Sequence, residues 1–307
     1  MTLVVAIFGP TASGKSAVAE AIAERIPAEL VSADSVQVYR GLPILTNQSR
    51  ARLVAIWELD HEASVAEYQE AAHAAIDEIL ESGRTPVVAG GTGLYLRAAL
   101  ADLRLPPAVP PEARERLERL YDRVGAERAH ELLAERDPAA AAGVHPNDRR
   151  RVVRALELVE AGGSLRPAED RLWEGETRHP TLIVGLTLDR EELRRRIEER
   201  TREMFERGVE EEVRRALAGP ISDTARHILG LREIAELPRD EAIEALVTRT
   251  RRYAVYQLRW LRRIPGIVSL PADRPPGELA DAILEMARSR ERLPARRAGD
   301  AGRAVDA

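Results

Sequence analysis

Residues 9–16 read GPTASGKS, the pattern G-x-x-x-x-G-K-[ST], and Lys15 within it is the only lysine in a 307-residue chain holding 46 Lys and Arg together. Glycines at 9 and 14 let the backbone wrap closely around an anion, and the loop N–H groups then converge on it. Lysine adds a point charge on a thin stem where an arginine fork would not fit between loop and diphosphate. Ser16 offers a hydroxyl to Mg²⁺. The stretch specifies a phosphate cradle made of Gly9, Pro10, Thr11, Ala12, Ser13, Gly14, Lys15 and Ser16. Taken alone it predicts diphosphate or nucleotide binding, ATP included, and leaves kinase, GTPase and transferase chemistry open.

Two further stretches carry groups suited to that cradle. SADSVQVYRG (32–41) places Asp34 at the C-terminal end of a strand expected to neighbour the cradle, at the mouth of the site. Its carboxylate can back a Mg²⁺ ion, act as a general base, or cap an Asx-type turn. Gln37 can read a base edge by hydrogen bonds. GGTGLYLRAAL (90–100) brings three glycines and the Thr92 hydroxyl near the cradle, although a tight strand-to-helix turn would need the same glycines.

Three arginine clusters follow: DRRRVVR (148–154), RTRRY (249–253) and RWLRR (259–263). Arg150 and Arg154 share a helix face and can clamp phosphates, with Arg151 beside them. A solvated face paired with Glu157 and Glu160 would use the same residues. That choice also applies to Arg249, Arg251 and Arg252. Trp260, flanked by Leu258 and Leu261, is read as core packing.

The elements that must position these groups alternate in period. LVVAIF (3–8) is a buried strand ahead of the cradle, and 15–26 is an amphipathic helix after it. ELVSAD (29–34), TPVVAGG (85–91), TLIVGLTL (181–188) and IVSLPA (267–272) read as strands, with RLVAIWELD (52–60) a weaker one. Residues 64–83 form a helix with Ser64 as cap and Gly83 past its end. Long helices are expected over 189–218 and 239–263. Strands alternating with helices predict an α/β fold, a P-loop NTPase-like parallel sheet core. After the Pro-rich LPPAVPP (105–111) the period is helical to about 178. The expected organisation is a core of 1–107 and 179–290, an inserted all-helical domain at 108–178, and a disordered tail at 291–307.

Composition narrows the class. A net charge of −5 excludes a wholly basic nucleic-acid binder, yet local arginine clusters can still line a groove. There is no cysteine, which excludes disulfides, thiolate zinc sites and a cysteine nucleophile, and fits a cytoplasmic protein. MTLVVAIFGP lacks a basic n-region, and no apolar run reaches membrane-spanning length, so neither signal peptide nor membrane anchor is expected.

Taken together, GPTASGKS, SADSVQVYRG and GGTGLYLRAAL resemble the tRNA dimethylallyltransferases, the IPP transferase family of isopentenyl-diphosphate:tRNA transferases, in their compact bacterial type. HPNDRRRVVRALEL (145–158) and RTRRYAVYQLRWLRR (249–263) extend the resemblance to about residue 270. It implies transfer of a dimethylallyl group from dimethylallyl diphosphate to the exocyclic amine of the adenosine 3′-adjacent to the anticodon, in tRNAs reading codons that begin with U. It also implies that Thr11 to Ser16 grip the diphosphate with Mg²⁺ and that Asp34 is the base, with Lys15 and Thr92 beside it. The implied tRNA contacts are Asp34, Ser35, Val36, Gln37, Thr92, Arg114, Arg150, Arg151 and Arg154, with the insertion against the anticodon stem-loop. The expected protein is a monomer. A P-loop small-molecule kinase and a non-catalytic, nucleotide-gated RNA-binding module are the rival functions. The chain departs from the family where GMDIGTAKP is usual and GLPILTNQS (41–49) stands. It departs again in the late motif, where Val255 and Tyr256 replace a Lys-Arg pair while Arg259, Arg262 and Arg263 add charge nearby.

Overall fold

Five consecutive apolar residues, Val4–Phe8, form β1, and all five are buried. A strand buried on both faces needs helices above and below it, and the computed structural model, which describes residues 3–103, 105, 111–165 and 176–292, supplies them. α1 (Lys15–Ala23) follows the cradle, then β2 (Ala28–Ser32), α2 (Val65–Glu81), β3 (Thr85–Gly90) and α3 (Gly93–Leu100). The helices α4 (Pro111–Val124), α5 (Ala126–Arg136), α6 (Pro138–Ala141) and α7 (Arg149–Glu160) come next. β4 (Thr181–Thr187) leads into α8 (Arg190–Glu206), α9 (Val209–Leu217), α10 (Asp223–Arg226), α11 (Leu231–Glu236) and α12 (Arg239–Leu261). β5 (Val268–Pro271) and α13 (Pro276–Arg292) complete the described chain.

The strands form one parallel sheet in the order β2-β3-β1-β4-β5. Val5 and Ile7 face one side, packed with Ile22 of α1 and Ile283 and Leu284 of α13. Alternation along the strand sends Ala6 and Phe8 to the other side, where α2 and α3 pack together. β3, not β2, therefore neighbours β1, which corrects the adjacency expected for the Asp34 strand. Asp34 still reaches the cradle because the chain leaving β2 crosses the end of β3. Ala33 donates its N–H to the Ala89 carbonyl at 2.8 Å. A Cβ at Gly90 would lie 2.0 Å from the Ala33 carbonyl oxygen. We predict that Gly90→Ala costs about 3 kcal/mol, read as a shift in the urea midpoint, since backbone rather than a flexible side chain must yield. An unchanged midpoint would show that the crossing has slack.

Local signals hold at most element ends. Ser64 caps α2 with a reciprocal capping box to Glu67, and Gly83 beyond it has φ +72°. Three expectations change. Residues 52–60 form no strand, since Leu53 and Ala55 take φ 64° and 53°; only isolated bridges of Arg52 to Val31 and Trp57 to Tyr39 remain. The helix expected at 189–218 breaks at Gly208, φ +88°. α1 stops at Ala23, short of 26, because Pro27 disfavours the helical conformation just before it.

Contacts divide the chain into Met1–Asp102 with Glu176–Ala307, which carries the sheet, and Leu103–Gly175. Early in the second segment of the sheet unit, Arg178 and His179 both bind the Asp77 carboxylate of α2, at 2.9 and 2.7 Å. The second unit is α4–α7 around Leu117, Tyr121, Leu133, Val152 and Leu156. Of the tail expected at 291–307, Glu291 and Arg292 belong to α13 and 293–307 lies outside the described residues. Among the described residues no helix is long and apolar enough to cross a membrane.

Candidate anion cradle and acid–base site

The cradle forms where β1 turns into α1. Gly14, φ 85°, is the N-cap residue and gives no side-chain cap bond, so the first-turn N–H groups of α1 are left for another acceptor. Gly9 is needed for closeness: a Cβ there would meet Ser13 Oγ at 2.6 Å. Ser13 is 1% exposed and its hydroxyl has no hydrogen-bond partner. A buried, unpartnered donor of this kind in a ring of N–H groups fits an anion that completes it.

Lys15 reaches back towards the Pro10 carbonyl at 3.5 Å. Burial lowers its pKa to about 8; the Asp34 carboxylate opposes that shift and the Arg200 guanidinium adds to it. Lys15, Ser16, Ser32, Asp34, Gln37 and Ser49 line one pocket. Asp34 accepts the Val36 N–H at 3.2 Å, an Asx-type turn, and remains half-exposed. Turn and pocket placement coexist, so the turn fixes the carboxylate beside the lysine. The oxygen donors Ser16 and Asp34 suit Mg²⁺, which takes one or two protein oxygens and completes its shell with phosphate and water.

Thr92 precedes α3 and makes no cap bond with its side chain. Its hydroxyl lies 3.3 Å from Ser35 Oγ and 3.4 Å from the Tyr253 hydroxyl. Burial pushes Tyr253 up to about 12, and the field of Asp34 adds to the shift. Thus Gly9–Ser16, Asp34, Ser35, Thr92 and Tyr253 converge at the C-terminal ends of β1, β2 and β3, the edge where open α/β sheets bind ligands.

Gln37 lines that pocket too, but its side-chain amide is already engaged. It is 8% exposed, and its amide donates to the Thr46 and Asn47 carbonyls at 3.2 and 2.8 Å while accepting from Ser32 Oγ at 2.8 Å. The amide hydrogens expected to read a base edge are spent holding the 41–48 loop. Glu212 of α9 supports that loop too, accepting the Ile44 and Leu45 N–H groups at 2.8 and 2.7 Å.

Two cradle partners escaped the sequence reading. Arg200 of α8 donates to Thr11 Oγ1 at 2.7 Å, and burial lowers its pKa. Gln257 of α12, 2% exposed, accepts the Thr11 N–H at 2.8 Å and donates to the Gly91 carbonyl at 2.9 Å. Gly91 must be glycine for this clasp, since a Cβ would lie 2.2 Å from Gln257 Nε2. A signal existed. Arg200 lies on the helix face of Leu193, Ile197 and Met204, and Gln257 on that of Ala254 and Leu261, each a polar residue in an apolar stripe. Those stripes meet in a cluster of Leu193, Ile197 and Ala254 with Ala12 of the cradle.

In the helical unit, Glu157 is fully buried between Arg114 and Arg154, at 2.8 and 2.9 Å. Arg150 is exposed, and Arg151 lies 3.6 Å from Asp148. The pairing of this face with Glu157, one of the two sequence readings, is therefore present for Arg154. On α12, Arg249 pairs with Glu233 and Arg251 with Glu198. Trp260 packs on Gly93, where a Cβ would lie 2.6 Å from the indole.

Comparison with known proteins adds a second line. The model of the family described as IPP transferase matches residues 37–264, and that described as isopentenyl transferase matches 2–52. A tRNA dimethylallyltransferase of Thermobifida fusca is 40% identical over 295 residues, covering 90% of this chain and 92% of the relative. One of Corynebacterium diphtheriae is 38% identical over 281 residues, covering 87% and 93%. The crystal structure of the tRNA isopentenylpyrophosphate transferase of Bacillus halodurans is 31% identical with a TM-score of 0.67, covering 95% of this chain and 97% of that one. A eukaryotic dimethylallyltransferase acting on tRNA shares the fold at a TM-score of 0.75 and 24% identity, covering 94% of this chain and 80% of its own.

Proposed function

The chain belongs to the IPP transferase family, and on that premise we propose that it transfers a dimethylallyl group from dimethylallyl diphosphate to a tRNA. The acceptor is the exocyclic amine of the adenosine 3′-adjacent to the anticodon, in tRNAs reading codons that begin with U, and the product is isopentenyladenosine. The observation that carries the site assignment is Asp34 in one pocket with Lys15 and Ser16: a proton acceptor beside a diphosphate grip.

The allylic C–O bond breaks and its electron pair leaves on the diphosphate. The cradle N–H groups and Lys15 stabilise that charge, while Arg200 and Gln257 hold Thr11 in place. The amine nitrogen bonds to the allylic carbon, and its proton passes to Asp34. Mg²⁺, held by Ser16 and backed by Asp34, would supply further charge to the departing diphosphate when bound. To reach the pocket the adenine must leave the anticodon-loop stack, and Ser35 and Thr92 offer hydroxyls where it arrives. Arg114, Arg150, Arg151 and Arg154 are proposed phosphate contacts to the stem-loop, Glu157 fixing the two guanidiniums it binds. We also propose that the protein acts as a cytoplasmic monomer.

Incubation with dimethylallyl diphosphate labelled in the prenyl group, or with γ-labelled ATP, plus an unmodified tRNA transcript tests this reading. Prenyl label entering tRNA is the expected result. Phosphate transferred to a small acceptor would instead establish the kinase, and tRNA binding with neither transfer the binding module.

A further inference from the structure

Four large hydrophobic residues are exposed among the described residues, and two are adjacent on α12: Val255 at 46% and Tyr256 at 47%. Tyr256 is nonetheless braced. Its ring meets Trp260 edge-on, with centroids 6.0 Å apart and planes at 82°. It lies near-parallel to Tyr253 at 6.3 Å and 24°. Both braces are fixed to the same turn, Trp260 packing on Gly93 and the Tyr253 hydroxyl lying 3.4 Å from Thr92 Oγ1. A half-exposed aromatic side chain is thus held by two rings that themselves touch the turn carrying Thr92.

Its flanks are cationic. Arg252 and Arg259 lie at i−4 and i+3 from Tyr256 on one face of α12, Arg263 follows in the turn after the helix, and all three are exposed. Among the described residues none of them has an acidic partner, whereas Arg249 and Arg251 on the same helix are paired with Glu233 and Glu198. An aromatic face between free guanidiniums matches single-stranded nucleic acid: a base stacks on the ring while phosphates meet the charges. It suits a protein partner poorly, since an apolar contact there would desolvate unpaired arginines.

The chemistry also calls for such a face. Drawing the target adenine towards Asp34 removes it from its neighbours and leaves one of them without a stacking partner. We propose that Tyr256 is a positioning residue that stacks on a nucleobase flanking the target adenosine, with Arg252 and Arg259 against the phosphates on either side. This rests on the transferase reading above and adds a contact to it.

Binding of a fluorescent anticodon stem-loop, without prenyl donor, tests the stack directly. Relative to the unaltered protein, Tyr256→Ala weakens binding roughly tenfold and Tyr256→Phe by less than about twofold. With an abasic nucleotide at the flanking position, 5′ or 3′ of the target, the alanine variant binds as the unaltered protein does. The melting temperature stays constant, the residue being exposed. Equal binding of the alanine variant and the unaltered protein to the intact loop would overturn the proposal. So would an equal loss on the intact loop and on both abasic loops. Failure of the unaltered protein to prenylate tRNA would count against the transferase reading alone, because the binding comparison uses no donor.

Discussion

Asp34→Asn lowers the rate of prenyl transfer by roughly 10²–10⁴-fold, the range for loss of a positioned general base, and leaves stem-loop binding nearly unchanged. The substitution is close to isosteric and keeps an oxygen for the Val36 N–H, bound at 3.2 Å. What it removes is a proton acceptor and a negative charge. Single-turnover transfer with saturating donor and RNA measures the first loss; anisotropy with labelled stem-loop checks that binding survives. Near-normal turnover would remove Asp34 as base and leave it as a turn-forming residue. The charge loss has its own signature. Asp34 is the group that holds the Lys15 pKa up against burial, so in Asp34→Asn the lysine ionises at lower pH and any pH dependence it confers on donor binding moves down.

The second large effect belongs to Lys15. Lys15→Met lowers kcat by roughly 10²–10³-fold, the scale for removing one preorganised group that stabilises developing negative charge. Its pH behaviour separates this role from a general weakening of the fold. With Lys15 titrating at about 8 in the free protein, and a diphosphate holding it protonated once bound, donor binding takes up a proton above that pH. The KM for dimethylallyl diphosphate therefore rises about tenfold from pH 7 to pH 9, as expected for a single group of that pKa. The methionine variant loses this rise, and retention of the rise would mean that another group causes it. Stability runs in the opposite direction. The lysine pKa is depressed from 10.5 to about 8, so between those values the unfolded chain binds more protons than the folded one. Folding is strengthened as pH climbs through that window, while the grip on the donor weakens. Chemical denaturation at pH 7.5 and pH 10 would show the two trends apart.

Legibility of the site followed how locally each group is held. The cradle is one turn between adjacent elements, and its glycines, lysine and serine are prescribed by φ values and N–H geometry within eight residues. Asp34 and Thr92 were visible for a related reason: each ends a strand, and parallel strands in an open sheet end on one edge. Gln37 has the polarity of a recognition group and does line the pocket, but its engagement is not legible from the sequence. Only the folded 41–48 loop reveals that the amide is consumed by the Thr46 and Asn47 carbonyls. The region 52–60 misled, its apolar alternation giving no hint that Leu53 and Ala55 turn left-handed.

The sequence by itself determined the anion cradle, the parallel α/β core and, through motifs in order, the family. These rest on local backbone requirements and on periodicities of 2 and 3.6 that survive in one dimension. Tertiary structure alone decided that Thr11 is held by Arg200 and Gln257, 189 and 246 residues further along the chain. It also decided that β3 lies between β1 and β2, that Glu157 is buried between two arginines, and that Tyr256 is braced in the open. The physical reason is common to all four. Burial, charge pairing and steric exclusion at Gly90, Gly91 and Gly93 are properties of surfaces brought together by packing, and no local window of the chain contains both surfaces.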